Sequence, residues 1–109
     1  KAISYKLIII TANLPYLPTA EWRSVPKTVK NSEPRLALDG GPDGLRDIRA
    51  IARAASTALR PGGVLVMEIG MGQAEAVTDL LTTTGLGGDL TLRADLQGIP
   101  RVVVAMRPD

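Results

Sequence analysis

The feature that most constrains the fold is an unbroken aliphatic run, Leu7 to Ile10, followed closely by the tetrapeptide Asn13-Leu14-Pro15-Tyr16. A continuous apolar run is typical of a strand buried on both faces, the kind found in parallel sheets. The tetrapeptide would then lie at the carboxyl end of this strand, where open α/β sheets bind their ligands. The sequence therefore predicts a buried strand that leads into a ligand-binding crevice.

The tetrapeptide carries three groups that suit a planar –NH2 group. Asn13 has a side-chain acceptor oxygen, Leu14 has a main-chain carbonyl, and Tyr16 has a flat aromatic face. Pro15 disfavours the helical conformation at Leu14, which keeps that carbonyl projecting. These groups could orient a carboxamide or an exocyclic base amine, although Asn and Pro after a strand are also ordinary turn residues.

The absence of two reactive residue types limits the reactions that this chain could catalyse. The chain contains no cysteine and no histidine, which excludes disulfides, Cys/His zinc sites and triads built on histidine. We predict no metal site. Group transfer from an activated cofactor fits such a chain, because proximity and alignment alone can supply about 7–11 kcal/mol of barrier reduction.

Length and charge bound the remaining classes. The 109 residues suffice for one small domain, and no apolar stretch approaches the roughly 20 residues that cross a bilayer. We therefore expect a cytoplasmic protein without a membrane partner. The net charge of +2 and the scarcity of aromatic residues argue against nucleic-acid binding through a stacking platform.

Residues 17–44 form a long connection without helical or strand periodicity. A connection well beyond about 12–15 residues is usually functional or disordered. Its place after a strand favours a substrate-facing loop, with a short helical turn near Thr19 to Arg23. Within it, Trp22 either anchors the loop or contacts a partner.

Helical spacing of apolar residues predicts a first main helix from Leu45 to Leu59. Asp43 is the predicted cap, and Pro61-Gly62-Gly63 is predicted to end the helix. The following run, Val64 to Ile69, is typical of a second buried strand. Gly70-Met71-Gly72-Gln73 then favours a strand-to-helix turn over a phosphate cradle, because the third glycine of that motif is missing.

The last third of the chain predicts a helix and a hairpin. Apolar residues from Ala74 to Leu81 have helical spacing, and Gly85 is predicted to stop this second main helix. Alternation from Leu90 to Asp95 indicates a half-exposed strand, and Val102 to Met106 returns as a buried one. The fold class is therefore α/β, with an antiparallel pair at its carboxyl end.

The chain carries four carboxylates close to the presumed crevice in sequence: Glu33, Asp39, Asp43 and Glu68. An amide nitrogen held by acceptors needs no catalytic base, so we predict a structural role for each of them. In the hairpin, Asp95 is predicted to close the turn and Arg101 to pair locally on the surface.

Taken together, these motifs resemble the carboxyl-terminal half of the HemK/PrmC family of release-factor glutamine N5-methyltransferases, from about Tyr5 to Met106. The shared landmarks follow the order of the family: Asn13-Leu14-Pro15-Tyr16, Glu33-Pro34, Ala37-Leu38-Asp39-Gly40-Gly41, Asp43-Gly44-Leu45, Glu68-Ile69-Gly70 with Gln73, and Asp95-Leu96 with Gly98 and Arg101-Val102.

The resemblance implies part of a class I, Rossmann-like methyltransferase sheet of about four strands, with a terminal antiparallel hairpin and two main helices. Residues 1–109 would form a single partial domain that lacks the family's Gly-rich cofactor-binding half. The implied cofactor is S-adenosyl-L-methionine, which this chain alone should bind weakly or not at all. The implied substrate is the glutamine of a Gly-Gly-Gln motif in a peptide chain release factor.

The resemblance also assigns roles to the tetrapeptide. Asn13 would orient the glutamine amide and lie beside the cofactor, and Leu14 would contribute its carbonyl. Pro15 would line the substrate site, and Tyr16 would cover the amide plane. The sequence thus predicts Asn13 and Tyr16 as catalytic residues and the whole tetrapeptide as the substrate-binding element.

Two alternatives stay open at the level of the sequence. The family's usual tetrapeptide is Asn-Pro-Pro-Tyr, whereas the form with Leu14 is typical of ribosomal RNA adenine dimethylases. An adenine-N6 methyltransferase of RNA or DNA is therefore one alternative, and a noncatalytic fragment or binding module is another. Without the family's other strands, the chain should expose an apolar sheet edge through which it could self-associate.

Overall fold

The computed structural model describes residues 6–28, 34–35 and 38–109. Within these residues the strands are β1 (Leu7–Ala12), β2 (Leu59–Glu68), β3 (Leu90–Ala94) and β4 (Pro100–Met106). The helices in the same part of the chain are α1 (Thr19–Arg23), α2 (Arg46–Ala58) and α3 (Ala74–Thr83).

The strands form one mixed sheet in the order β1-β2-β4-β3. β1 pairs parallel with β2, and the connection between them contains α2. β4 pairs antiparallel with both β2 and β3, so the chain ends in the predicted hairpin at one side of the sheet. The predicted class, α/β with two main helices and a terminal antiparallel pair, is confirmed for the described residues.

The sheet has a covered face and an open face, because side chains alternate along each strand. On the covered face the fully buried apolar strand residues are Leu59, Leu65, Met67, Val103 and Ala105. On the open face the corresponding residues are only half-buried: Val64, Val66, Glu68, Val102 and Val104. The described part of the chain therefore builds its core on one side of the sheet.

Both main helices pack on the covered face through apolar stripes at helical spacing. Ile48, Ala52 and Ala55 are the buried residues of α2, and Val77 and Leu81 are those of α3. Full burial of an Ile or Leu side chain stabilises the fold by about 1.5–3 kcal/mol. This packing holds the sheet in place, and the tetrapeptide follows the carboxyl end of one of its strands, β1.

β1 lies at the edge of the described sheet, and the prediction that it is buried on both faces is wrong. Leu7, Ile8 and Ile9 are 53%, 60% and 55% exposed. Only one neighbouring strand pairs with β1, and the described helices cover only one face of the sheet. The expected exposed apolar edge is confirmed.

The end of α2 also differs from the prediction. The helix stops at Ala58, and Pro61-Gly62-Gly63 lies inside β2 instead of terminating the helix. The N–H of Gly62 donates to the carbonyl of Arg107, and the N–H of Arg107 donates to the carbonyl of Gly63. The segment bulges out of the ladder, because Leu7 pairs with Leu59 whereas Ile9 pairs with Val64, and Gly62 has a φ of +79°. The two bonds to Arg107 hold this bulge in place.

The remaining elements follow the sequence closely. The short helical turn at Thr19–Arg23 is present as α1, and α3 is followed by Gly85 with a φ of +87°. Asp95 closes the hairpin turn by accepting hydrogen bonds from the N–H groups of Gln97 and Ile99. No helix in the described ranges is long and apolar enough to cross a membrane.

Candidate functional site

The tetrapeptide lines an open cleft at the carboxyl end of β1, as the sequence predicts. The cleft has a volume of about 440 Å³, and Leu17, Leu38 and Glu68 complete its wall. The side chain of Asn13 is exposed, while the other three residues of the tetrapeptide are half-buried. All four predicted site residues therefore share one cavity.

A second cleft, of about 270 Å³, lies beside the first on the open face of the sheet. Its walls come from the ends of three strands, namely β1, β2 and β4. Asn13 and Glu68 line both clefts. These two residues therefore stand where the tetrapeptide cleft meets the open face.

The segment after the tetrapeptide is tied to residues 38–41 by main-chain hydrogen bonds. The N–H of Leu17 donates to the carbonyl of Leu38 at 3.1 Å, and the N–H of Gly40 donates to the carbonyl of Leu17 at 2.7 Å. The N–H of Thr19 donates to the carbonyl of Gly41 at 2.9 Å. The far end of the long connection thus returns to hold the chain directly beyond Tyr16.

Asp39 reinforces this junction with its buried carboxylate. It accepts hydrogen bonds from Arg35 Nε at 2.8 Å, from the Gly41 N–H at 3.0 Å and from Thr19 Oγ1 at 2.8 Å. The Arg35 hydrogen bond, followed by that from Gly41, lowers the pKa of Asp39 to about 2. The Arg35 guanidinium also lies 4.0 Å from the ring centroid of Trp22, so this tryptophan anchors the loop.

Gln73 joins the tetrapeptide to the end of β2. Its Nε2 donates to the carbonyl of Tyr16 at 2.8 Å, and its Oε1 accepts the N–H of Gly70 at 2.8 Å. The side chain is buried, so both ends of its amide are satisfied within the protein. Because Gly70 already uses its N–H on Gln73, this segment is the predicted strand-to-helix turn.

Two glycines let the backbone approach the tetrapeptide closely. A Cβ at Gly40 would lie 2.8 Å from the carbonyl oxygen of Pro15, and a Cβ at Gly44 would overlap that of Tyr16. Gly44 also has a φ of +77°, which side-chain-bearing residues rarely adopt. The Asp-Gly-Gly and Asp-Gly-Leu landmarks therefore hold the tetrapeptide in place and do not themselves line its cleft.

The prediction that Asp43 caps α2 is wrong. The residue at the N-cap position is Leu45, and its N–H donates to Asp43 Oδ1 at 3.0 Å. Arg49 also forms an ion pair with Asp43. The Arg49 hydrogen bond, followed by that from Leu45, lowers the pKa of Asp43, so the residue is structural as predicted but acts one turn ahead of the helix.

The remaining carboxylates named from the sequence differ in whether the structure shows a bonding partner for them. Asp95 pairs with Arg101 at 3.4 Å, which confirms the predicted local pairing. Glu33 lies outside the described residues. Within the described residues, the Glu68 carboxylate forms no hydrogen bond or ion pair, yet Glu68 lines both clefts. The structure therefore assigns no structural partner to Glu68.

The supporting contacts could not be assigned from the sequence, although their residues were recognised as landmarks. Gln73 reaches the carbonyl of Tyr16 across 57 positions in the chain. The only signal was its place directly after a glycine-containing turn, where a side-chain amide can bond to the backbone. No group of three or more acidic residues that could hold a metal ion is found among the described residues.

The free polar groups of the cleft are mainly acceptors. Within the described residues, neither the Asn13 side chain nor the Leu14 carbonyl takes part in a hydrogen bond. The Glu68 carboxylate adds a third acceptor on the same wall. Such a surface suits a ligand that presents N–H donors or a positive charge.

Comparisons with known proteins find relatives that share one name. No family model matches the chain. The release factor glutamine methyltransferase of Bradyrhizobium diazoefficiens is 44% identical over 99 residues, covering 91% of this chain and 33% of that protein. The protein of the same name from Moorella thermoacetica is 46% identical over 102 residues, covering 94% of this chain and 36% of that protein.

A solved structure agrees with these sequence relatives. It is the crystal structure of a release factor-specific protein-(glutamine-N5) methyltransferase from Alicyclobacillus acidocaldarius. It matches with a TM-score of 0.50 and 30% sequence identity, over 62% of this chain and 43% of that chain. The chain spans about a third of the length of the curated relatives that it matches.

Proposed function

Because sequence and fold show that this chain is related to the carboxyl-terminal part of release factor glutamine methyltransferases, we propose that it forms the substrate-binding part of such an enzyme. The substrate would be a glutamine side-chain amide in a peptide chain release factor, within a Gly-Gly-Gln motif. The observation that carries the proposal is the cleft formed by Asn13 to Tyr16, whose acceptors have no partner among the described residues.

The cleft residues would act by orienting the amide. Asn13 Oδ1 and the Leu14 carbonyl accept the two N–H groups of the planar –NH2, and the Tyr16 ring covers its plane. This arrangement fixes the direction of the nitrogen and places it close to the methyl donor, an effect that lowers barriers through proximity. Methyl transfer would form the N–C bond, break the donor's bond between sulfur and the methyl carbon with the electron pair left on sulfur, and release one amide proton to solvent.

The donor set is compatible with the implied cofactor, S-adenosyl-L-methionine, which supplies an electrophilic methyl group when bound. Its sulfonium is positively charged, and the cleft offers the acceptors Asn13 Oδ1 and the Glu68 carboxylate. Asn13 would hold the cofactor on the sheet side. The chain matches only about a third of the length of its relatives, and we expect weak or no cofactor binding by this chain alone.

We further propose that residues 1–109 are a single partial domain of the active enzyme. The relatives are about three times as long as their matched segments, and the open face and the β1 edge expose apolar side chains such as Leu7 and Ile9. The additional length of the relatives would cover these surfaces. On its own, the chain is expected to self-associate through the same edge.

Two observations favour a protein substrate over the alternative of adenine in RNA or DNA. The relatives quoted above carry the name of a glutamine methyltransferase, and the chain has only three aromatic residues on which bases could stack. A substrate that belongs to translation would place the enzyme in the cytoplasm.

The decisive experiment uses a chimera in which this chain replaces the matching third of the Bradyrhizobium diazoefficiens relative. Transfer of labelled methyl groups to a release factor is measured, and mass spectrometry locates the modified residue. Asn13→Ala should reduce transfer about 10²–10³-fold, the usual cost of removing one preorganised hydrogen-bonding group.

The matched control is Gln97→Ala, which removes an exposed amide that lines neither cleft and should leave transfer unchanged. Contrary evidence would be a folded, cofactor-binding chimera that methylates RNA but not the release factor. Equal activity of the Asn13→Ala variant and the parent chimera would also contradict the proposal.

A further inference from the structure

Glu68 stands out among the described carboxylates that have no arginine partner, because it is half-buried whereas the others are exposed: Glu21, Glu75, Asp79, Asp89 and Asp109. Four other carboxylates each pair with an arginine, namely Asp39, Asp43, Asp47 and Asp95. Glu68 is half-buried at the end of a central strand and has no such partner. Its carboxylate instead lines both clefts, where its free acceptor oxygens are available to a group that donates a hydrogen bond.

Strand register places Glu68 beside Asn13. Ala12 pairs with Met67 in the parallel ladder, so Asn13 and Glu68 are the next residues of two neighbouring strands, whose axes lie about 4.8 Å apart. Both follow the alternation of the open face, and both line the two clefts. Their side chains therefore leave the same face of the sheet at the same level.

The chemistry of Asn13 requires a neighbour of this kind. Its amide has an oxygen end that accepts and a nitrogen end that donates, and the two ends have nearly the same shape. Only the oxygen end can accept an N–H of a substrate amide. A carboxylate accepts but cannot donate, so a carboxylate next to Asn13 selects the orientation in which Nδ2 points toward it.

We propose that Glu68 is a positioning residue for Asn13, an inference that rests on the proposed function. When substrate is bound, the Glu68 carboxylate accepts a hydrogen bond from Asn13 Nδ2, which directs Asn13 Oδ1 at the substrate amide. No hydrogen bond joins these two side chains in the described part of the chain. Hydrogen bonds of a catalytic site often tighten only when the substrate is present.

The test is a double-mutant cycle in the chimera described above, with the release factor as substrate. Glu68→Ala should lower kcat about tenfold and Asn13→Ala about a hundredfold or more. If Glu68 acts through Asn13, the double variant should be no slower than Asn13→Ala alone. Glu68→Gln, which keeps an acceptor but adds a donor, should lie between the parent and Glu68→Ala.

Glu75→Ala is the matched control, because Glu75 is an exposed residue of α3 that lines neither cleft, and it should leave kcat unchanged. Thermal unfolding of every variant identifies effects on the fold, and Glu68→Gln retains the side-chain shape if Glu68→Ala unfolds. Additive losses in the double variant would overturn the inference, since Glu68 would then act independently of Asn13. A Glu68→Ala variant as active as the control would overturn it too.

These outcomes are distinct from a failure of the proposed function. That failure appears as an Asn13→Ala variant that retains full transfer, whatever the effect of Glu68→Ala. A failure of the present inference instead leaves the Asn13→Ala loss intact and changes only the relation between the two substitutions.

Discussion

The residues that support the tetrapeptide differ from the groups of the cleft in how their polar atoms are used. The support, which comprises residues 38–45 and Gln73, is held by hydrogen bonds: Asp39 accepts three of them, and Gln73 uses both ends of its amide. The proposed recognition groups, which comprise the Asn13 side chain, the Leu14 carbonyl and the Glu68 carboxylate, have no hydrogen bond within the described residues. A rigid support with unused recognition groups is the arrangement that preorganised binding requires.

The largest expected effect in the support comes from Gly44→Ala. The new Cβ would overlap the Tyr16 carbonyl, and the residue must also keep a φ of +77°. The left-handed conformation costs about 1–2 kcal/mol, and overpacking adds about 1–3 kcal/mol. Urea unfolding of the chain at pH 7 measures the total loss in the free energy of unfolding.

Gly72→Ala separates these two costs. Gly72 has a similar φ of +82°, but a Cβ there meets no atom within 4 Å. It should therefore show only the conformational cost of about 1–2 kcal/mol. Equal losses for the two variants would mean that the close approach to Tyr16 contributes nothing to the support.

A smaller effect is expected from Gln73→Ala. The substitution leaves the Tyr16 carbonyl and the Gly70 N–H without their partner in a buried setting, which costs about 1–3 kcal/mol. Gln97→Ala is the control, because its side chain is exposed in the hairpin turn and surface changes cost within about 0.5 kcal/mol. Chemical denaturation of both variants measures the difference, and a Gln73→Ala chain as stable as Gln97→Ala would show that the clamp is unnecessary.

This contrast also explains how far the sequence could predict the site. The tetrapeptide was predictable because its four residues are contiguous and follow a recognisable strand. Its support was not, because Gln73 and Gly44 meet Tyr16 only through the tertiary fold. Sequence patterns identify such residues as landmarks but do not show which backbone group each one contacts.

The same limit applies to the fold. The sheet and the hairpin were predictable because apolar runs and alternation report burial along a strand. The Pro61-Gly62-Gly63 segment was predicted to end α2, but the helix already stops at Ala58 and the segment forms a bulge within β2 that hydrogen bonds to Arg107 hold in place. The burial of β1 was wrongly predicted for a related reason: the composition of a strand does not reveal how many neighbours cover it.

The smallest predicted effect concerns the pH dependence of the support. Asp39 has a pKa of about 2 in the folded chain, compared with an ordinary value of 3.8. Since the folded value is the lower one, ionised Asp39 stabilises the fold above about pH 4, and this contribution is lost as the pH falls toward about 2. Asp39→Asn should therefore be less stable than the parent chain at pH 7 and approach it near pH 2.

The difference between the parent chain and Asp39→Asn, measured by urea unfolding from pH 7 to pH 2, isolates this one carboxylate from Asp43 and Asp95, whose lowered pKa values act in the same direction. Asp79→Asn, an exposed position on α3, is the control and should follow the parent at every pH. A constant gap between the parent and Asp39→Asn would show that the hydrogen bonds to Asp39 hold the loop by geometry alone. A gap that closes in acid would show that the charge of Asp39 contributes to the stability of the support.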